Sequence, residues 1–143
     1  MKHILYISFV IFFITSCGDR IPRENVNSIL IKEYFEHFNN HNWEAMSDMY
    51  TADAEFKDPL RAGETYHSTK KELIEKYSAL QSYFPNIENT IEKIHPAADN
   101  VVVVEFISKG KAVDGTLLSL PICTVFTIKK GKITKDYTYY DNF

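Results

Sequence analysis

Asp58 is the residue of this chain best placed by its surroundings to move a proton. It closes a run, Asp53 to Asp58, in which Ala54, Phe56 and Asp58 share one face of a strand while Glu55 and Lys57 share the other. The Ala54–Phe56 face is apolar, so the Asp58 carboxylate is expected to point inward. An unpaired charge is costly there, and the pKa should rise above its ordinary value of about 3.9. A base in a pocket is one reason for such a residue. The other is a turn cap, since Pro59 follows and Asp side chains commonly close such turns. Tyr34 lies at core spacing on an early helix, where its hydroxyl either packs with a satisfied tip or donates to a ligand, and Tyr50 admits the same two readings. Late in the chain, Tyr137, Tyr139 and Tyr140 stand with Asp136 and Asp141. Strand alternation puts Tyr137 and Tyr139 on one side and Tyr140 on the other, so the cluster divides between a pocket and an outer face. Cys123 sits in the apolar run Leu120 to Ile128 with no His or basic neighbour, which reads as an inert thiol. No Cys/His spacing suggests zinc and no Gly-rich phosphate loop is present, so neither metal nor cofactor is expected.

The N-terminus carries a different chemistry. Lys2 supplies a positive start, Ile4 to Ile14 an apolar stretch, and Thr15 and Ser16 small residues before Cys17. A spanning helix needs about 20 apolar residues, more than this stretch offers. The run Ile14-Thr15-Ser16-Cys17 resembles the lipobox of bacterial lipoproteins. That resemblance implies a signal peptide over residues 1–16, cleavage before Cys17, and acylation of Cys17 with a fatty acid such as palmitate. Residues 17–24 would be the lipidated N-terminus and tether, and residues 25–143 the folded domain. The expected location is the cell envelope, outside the cytoplasm, with the lipid on Cys17 holding the protein to a membrane. An ordinary secreted protein with a coincidental cysteine is the alternative. Removal of residues 1–16 takes away one Lys and no acid, moving the net charge from -3 to -4, which argues against nucleic acid as a partner.

These candidates need elements to hold them. Apolar positions 26, 29, 30, 34, 35 and 38 recur at helical spacing, and Asn39 to Asn42 ends that helix. Asn42 can cap a second helix, in which Trp43, Met46, Met49 and Tyr50 form an apolar stripe. Leu60 to Ser68 reads as a polar loop. Thr69 and Glu72 have the spacing of a capping box, opening a helix with Leu73, Tyr77, Leu80 and Phe84 on one side until Pro85 stops it. The rest reads as strands: Ile87 to Ile91, Val101 to Ser108, Thr116 to Ile128, and, after Lys130-Gly131, Ile133 to Tyr140. Helices first and antiparallel strands last indicate one α+β domain with a sheet folded over helices.

That order of elements, with the residues in it, resembles the nuclear transport factor 2-like superfamily, especially its SnoaL-like and ketosteroid-isomerase-like members. The marks are Tyr34-Phe35 on the first helix, a turn before Trp43, the run Met49 to Phe56, Asp58-Pro59, and a closing hairpin at Gly131 with an aromatic last strand. The resemblance implies a cone, with three N-terminal helices packed in a strongly curved, mainly antiparallel sheet and a pocket at the wide end. The spacing of Tyr34, Tyr50 and Asp58 matches the isomerases, which implies Asp58 as base and Tyr34 as donor to a developing oxyanion. Their second acid, kept protonated, falls near Cys123-Thr124, where this chain has none. The expected site is therefore Asp58 and Tyr34 as catalytic residues, with Tyr50, Phe56, Thr124 and Tyr139 lining the pocket around an unknown small apolar or mixed-polarity molecule. Cofactor-independent proton transfer is one expected activity. A non-catalytic dimerisation or protein-interaction domain of the same fold is the other. Val101 to Val104 is apolar at four successive positions, more than helices on one face can cover, so a homodimer through the open sheet face is expected.

Overall fold

The computed structural model describes residues 25–97 and 100–141. The expected signal peptide, Cys17 and tether lie outside the described residues. Helix α1 (Val26–Asn39) opens at Asn25, whose side chain accepts from the Asn27 N–H at 2.9 Å. It buries Ile31, Tyr34, Phe35 and Phe38, one stripe at the helical period. Helix α2 (Trp43–Asp48) is capped by Asn42, and α3 (Lys70–Tyr83) by the reciprocal Thr69–Glu72 box. Six strands follow or interrupt them: β1 (Tyr50–Lys57), β2 (Thr65–His67), β3 (Glu88–Pro96), β4 (Val101–Lys111), β5 (Leu117–Lys129) and β6 (Lys132–Tyr139). Their order in the sheet is β2-β1-β6-β5-β4-β3, antiparallel except where β1 meets β6.

The α+β architecture stands as expected, with two local differences. Tyr50 begins β1 and does not end α2: the helix stops at Asp48, and Met49 hands the chain to the sheet by accepting the Ile133 N–H. The segment Leu60 to Ser68 is not all loop. A 3-10 turn, Pro59–Arg61, leads to β2, which pairs with β1. Both differences arise because pairing with distant strands outweighs the local pattern.

The hairpin joining β5 to β6 turns through Lys130 and Gly131, both at positive φ, as a two-residue turn between twisted strands requires. Its register then slips by one. Ile128 pairs with Ile133 but Thr127 pairs with Lys135, which leaves Thr134 as an extra residue on β6. The Thr134 hydroxyl donates to the Thr127 carbonyl at 3.1 Å and holds the bulge in place. Ile133 and Asp136 are consequently both buried, although they are three residues apart in the chain.

Candidate functional site

Residues from α1, α3 and all six strands line one cavity of about 210 Å³. Its walls are mostly aromatic and aliphatic. Phe35 and Phe38 come from α1, Phe56 from β1, Phe106 from β4, and Leu120, Ile122 and Phe126 from β5. A core so apolar makes every polar group in the wall conspicuous.

The first polar group centres on Asp136, 6% exposed. The Tyr50 hydroxyl donates to its Oδ2 at 2.6 Å, and the Thr138 hydroxyl donates to its Oδ1 at 3.1 Å. Thr138 in turn shares a 2.8 Å hydrogen bond with Thr124 across the β5–β6 pair. On the other side, the Tyr34 hydroxyl lies beside those of Tyr50 and Tyr77. A hydrogen-bonded chain thus runs from Thr124 through Thr138 and Asp136 to Tyr50, with the Tyr34 and Tyr77 phenols beside its end. Burial raises the Asp136 carboxyl above the usual range, although the Tyr50 bond, Lys76 and Thr138 pull the other way. Burial, Tyr77 and Asp136 push the Tyr34 phenol well above the ordinary tyrosine range, and burial with Asp136 does the same to Tyr50. These phenols stay protonated at physiological pH and can only serve as hydrogen-bonding groups.

Asp58 forms the second polar group. It sits at the end of β1 and caps the 3-10 turn: its Oδ1 accepts the Leu60 N–H at 2.9 Å and the Tyr140 hydroxyl at 2.9 Å. Its Oδ2 faces the Lys76 ammonium at 3.1 Å. Burial works against this carboxylate, but the Leu60 N–H, Lys76 and Tyr140 outweigh it and hold its pKa below the usual value. The expectation of a raised Asp58 pKa is corrected here. Inward alternation does bury the residue, but the charge is fully partnered, because Lys76 reaches it from α3. Burial also opposes the Lys76 charge, yet Tyr77, Tyr66 and Asp58 around it keep its pKa above the ordinary lysine value.

Of the residues expected at a site, Tyr34, Phe56, Asp58 and Thr124 line the cavity. Tyr50 stands behind the wall, reaching the site through its bond to Asp136. Tyr139 does not face the cavity. It is 44% exposed on the outer side of the sheet, where Lys57 lies over its ring, and Tyr140 takes the inward place. The sequence reading missed Asp136 as the central acid, and with it Lys76, Tyr77, Asn89 and Ser108. Lys76 was findable, since it lies three residues after Leu73 and four before Leu80, on the inward face of α3. Cys123 is half-buried on the outer face, its thiol pushed up by burial and by Glu105. Among the described residues no cluster of His, Cys, Asp and Glu could hold a metal ion, and no helix is long and apolar enough to cross a membrane.

The sequence model of the SnoaL-like domain matches residues 31–135. No curated protein sequence matches the chain. Among solved structures, the chain resembles a protein with a ketosteroid isomerase-like fold from Catenulispora acidiphila, solved in complex with trimethylamine. The two are 21% identical, with a TM-score of 0.68 over 78% of this chain and 85% of that one. It also resembles a proposed SnoaL-like polyketide cyclase from Shewanella putrefaciens, 17% identical, TM-score 0.67, over 83% and 92%. A third is an NTF2-like protein from Cytophaga hutchinsonii, 14% identical, TM-score 0.61, over 85% and 95%. At such identities the likeness concerns the fold alone.

Proposed function

The chain belongs to the SnoaL-like domain family, and on that basis we propose that its cone binds a small, largely apolar molecule bearing a carbonyl or enol oxygen. The observation that carries this reading is the Asp136 carboxyl, buried in an apolar wall and bonded to Tyr50. Asp58 and Lys76 neutralise each other, whereas Asp136 has no cation within salt-bridge distance among the described residues. Asp136 is therefore the group in the cavity that can exchange a proton with a ligand, and Tyr34 and Tyr77 are the donors that can stabilise a developing oxyanion beside it. If the protein is catalytic, proton transfer next to a carbonyl is the chemistry these groups support. Asp136 then takes the role the isomerase resemblance gave to Asp58, from the strand neighbouring the one where the second acid was sought.

Binding and catalysis separate in one experiment. 2-Naphthol, a flat enolate-like phenol, should bind the wild-type chain with a fluorescence change and bind Asp136→Ala and Tyr34→Phe at least about tenfold more weakly. Absence of binding at millimolar concentration removes the cavity reading. For catalysis, α-deuterium uptake by 2-tetralone in D2O, followed by NMR, should be accelerated by the wild type and not by Asp136→Asn. Naphthol binding without exchange would leave a binding protein.

Two further parts of the proposal rest on sequence. Cys17 carries a lipid, supported by the Ile14-Thr15-Ser16-Cys17 run, and this tethers the domain to a membrane of the cell envelope. The outer sheet face pairs two copies, supported by the side-by-side Val103 and Val125, each half-buried on that face.

A further inference from the structure

The cavity has a second polar station, away from Asp136. Asn89 sits on the inward face of β3, two residues after Ile87 and two before Ile91. Its backbone is occupied by α1: the Asn89 N–H donates to Asn39 Oδ1 at 2.7 Å, and its carbonyl accepts from Asn39 Nδ2 at 3.0 Å. Those bonds point away from β4, so Asn89 and its partner Ser108 form a pair without mutual backbone bonds, the type whose side chains stand closest. Asn89 is 8% exposed and its Oδ1 has no hydrogen-bond partner. Ser108 is 7% exposed, and its hydroxyl makes no hydrogen bond to any described residue. Both line the cavity, and Leu120 stands opposite Ser108 on β5.

A buried amide oxygen without a partner in an apolar wall is a costly arrangement to keep, and the Ser108 hydroxyl stands beside it. The cavity is the side from which a partner can come. Across the sheet, Ser108 pairs with Leu120, and Thr124 of the Asp136 chain lies four residues further along β5. At about 3.3 Å per residue this separates the two stations by about 13 Å. Neither side chain of the Asn89–Ser108 pair carries charge, and each can both donate and accept.

We propose that the ligand is elongated and two-ended: one oxygen meets the Asp136–Tyr34 chain, an apolar body fills the aromatic waist, and a neutral hydroxyl, carbonyl or amide group at the far end meets Asn89 and Ser108. This rests on the reading of the cone as a ligand site and adds the class of ligand. It also assigns Asn89 and Ser108 as specificity-determining residues, because a ligand lacking the far polar group leaves both unsatisfied.

The test uses two naphthols on the purified full-length chain: 2-naphthol bearing a pentyl chain at carbon 6, and the same molecule with a terminal hydroxyl on that chain. The chain is chosen to reach roughly the 13 Å between stations. In the wild type the hydroxylated probe should bind as tightly as the plain one or several-fold tighter, despite its greater hydration. In Ser108→Ala, in Asn89→Leu and in the double variant the preference should invert, reaching about tenfold in favour of the plain probe. Thermal melts confirm folding, and Ser108→Ala, the smaller change, carries the test if Asn89→Leu does not fold. A probe ratio that the variants leave unchanged overturns the proposal, as does a wild type that already rejects the hydroxyl tenfold. Failure of both probes to bind the wild type overturns the cavity reading itself, and this inference with it.

Discussion

Replacing Asp136 with Asn should stabilise the protein at neutral pH and leave it nearly unchanged in acid. Asn keeps the acceptor for the Tyr50 hydroxyl and offers Thr138 an amide, so the local hydrogen bonds survive while the ionisable proton disappears. The folded pKa of Asp136 is raised by burial, above its unfolded value. A carboxyl of this kind favours the folded state below its unfolded pKa of about 3.9, and that advantage is lost as pH rises through the folded pKa. Every unit of the rise corresponds to about 1.4 kcal/mol against the wild type above the window. For a domain of this size, 1 kcal/mol moves the melting temperature by roughly 3–5 °C. Melting curves of the wild type and Asp136→Asn between pH 3.5 and 8 should coincide at the acid end, diverge through the titration of Asp136, and then run parallel with the variant higher. A variant that melts lower than the wild type at pH 7.5, or a gap that does not change with pH, would refute the reasoning, because the carboxylate would then be favourably solvated in place.

Asp58 should behave in the opposite sense. Its folded pKa is depressed, so its contribution is present above about pH 4 and is lost as pH falls through the folded pKa; Asp58→Ala should cost about 1–2 kcal/mol at pH 7 by urea denaturation, with the gap narrowing as pH falls below about 4. Tyr50→Phe removes the donor that lowers the Asp136 pKa, so the Asp136 titration followed by NMR should move upward. Cells fed labelled palmitate should mark the wild type and leave Cys17→Ala unmarked; equal labelling removes the lipoprotein reading. Light scattering of Cys17→Ala at micromolar concentration should give a dimer mass, reduced to a monomer by Val103→Lys on the outer face.

Local signals in the sequence were enough for the helices and for most strands. The stripe from Ile31 to Phe38, the Thr69–Glu72 capping box and the Lys130-Gly131 turn each specify structure within a few residues. Tyr50 was misplaced because an apolar residue just past a short helix fits the helical stripe, while its strand partner, Ile133, lies far away in the chain. The partner that settles Asp58 is equally non-local: Lys76 is eighteen residues on, across the 3-10 turn and β2. Alternation correctly turned Asp58 inward but said nothing about which charge awaited it. Asp136 was hidden by the bulge. Counting alternately from Ile133 puts Lys135 inside and Asp136 outside, and only the extra residue at Thr134 reverses that order.

That single extra residue makes the interior of the site a matter of parity. Residues 136, 138 and 140 of the last stretch offer an acid, a hydroxyl and a phenol; residues 135, 137 and 139 offer an ammonium and two phenols. Drawing Thr134 into regular pairing opposite Thr127 would exchange one set for the other along the rest of the strand without altering any side chain's identity. The cavity would then lose its buried carboxyl and gain a lysine. A change that fails to hold this bulge therefore alters the kind of molecule bound more abruptly than any one substitution in the wall, because the slip in pairing rewrites three wall positions at once.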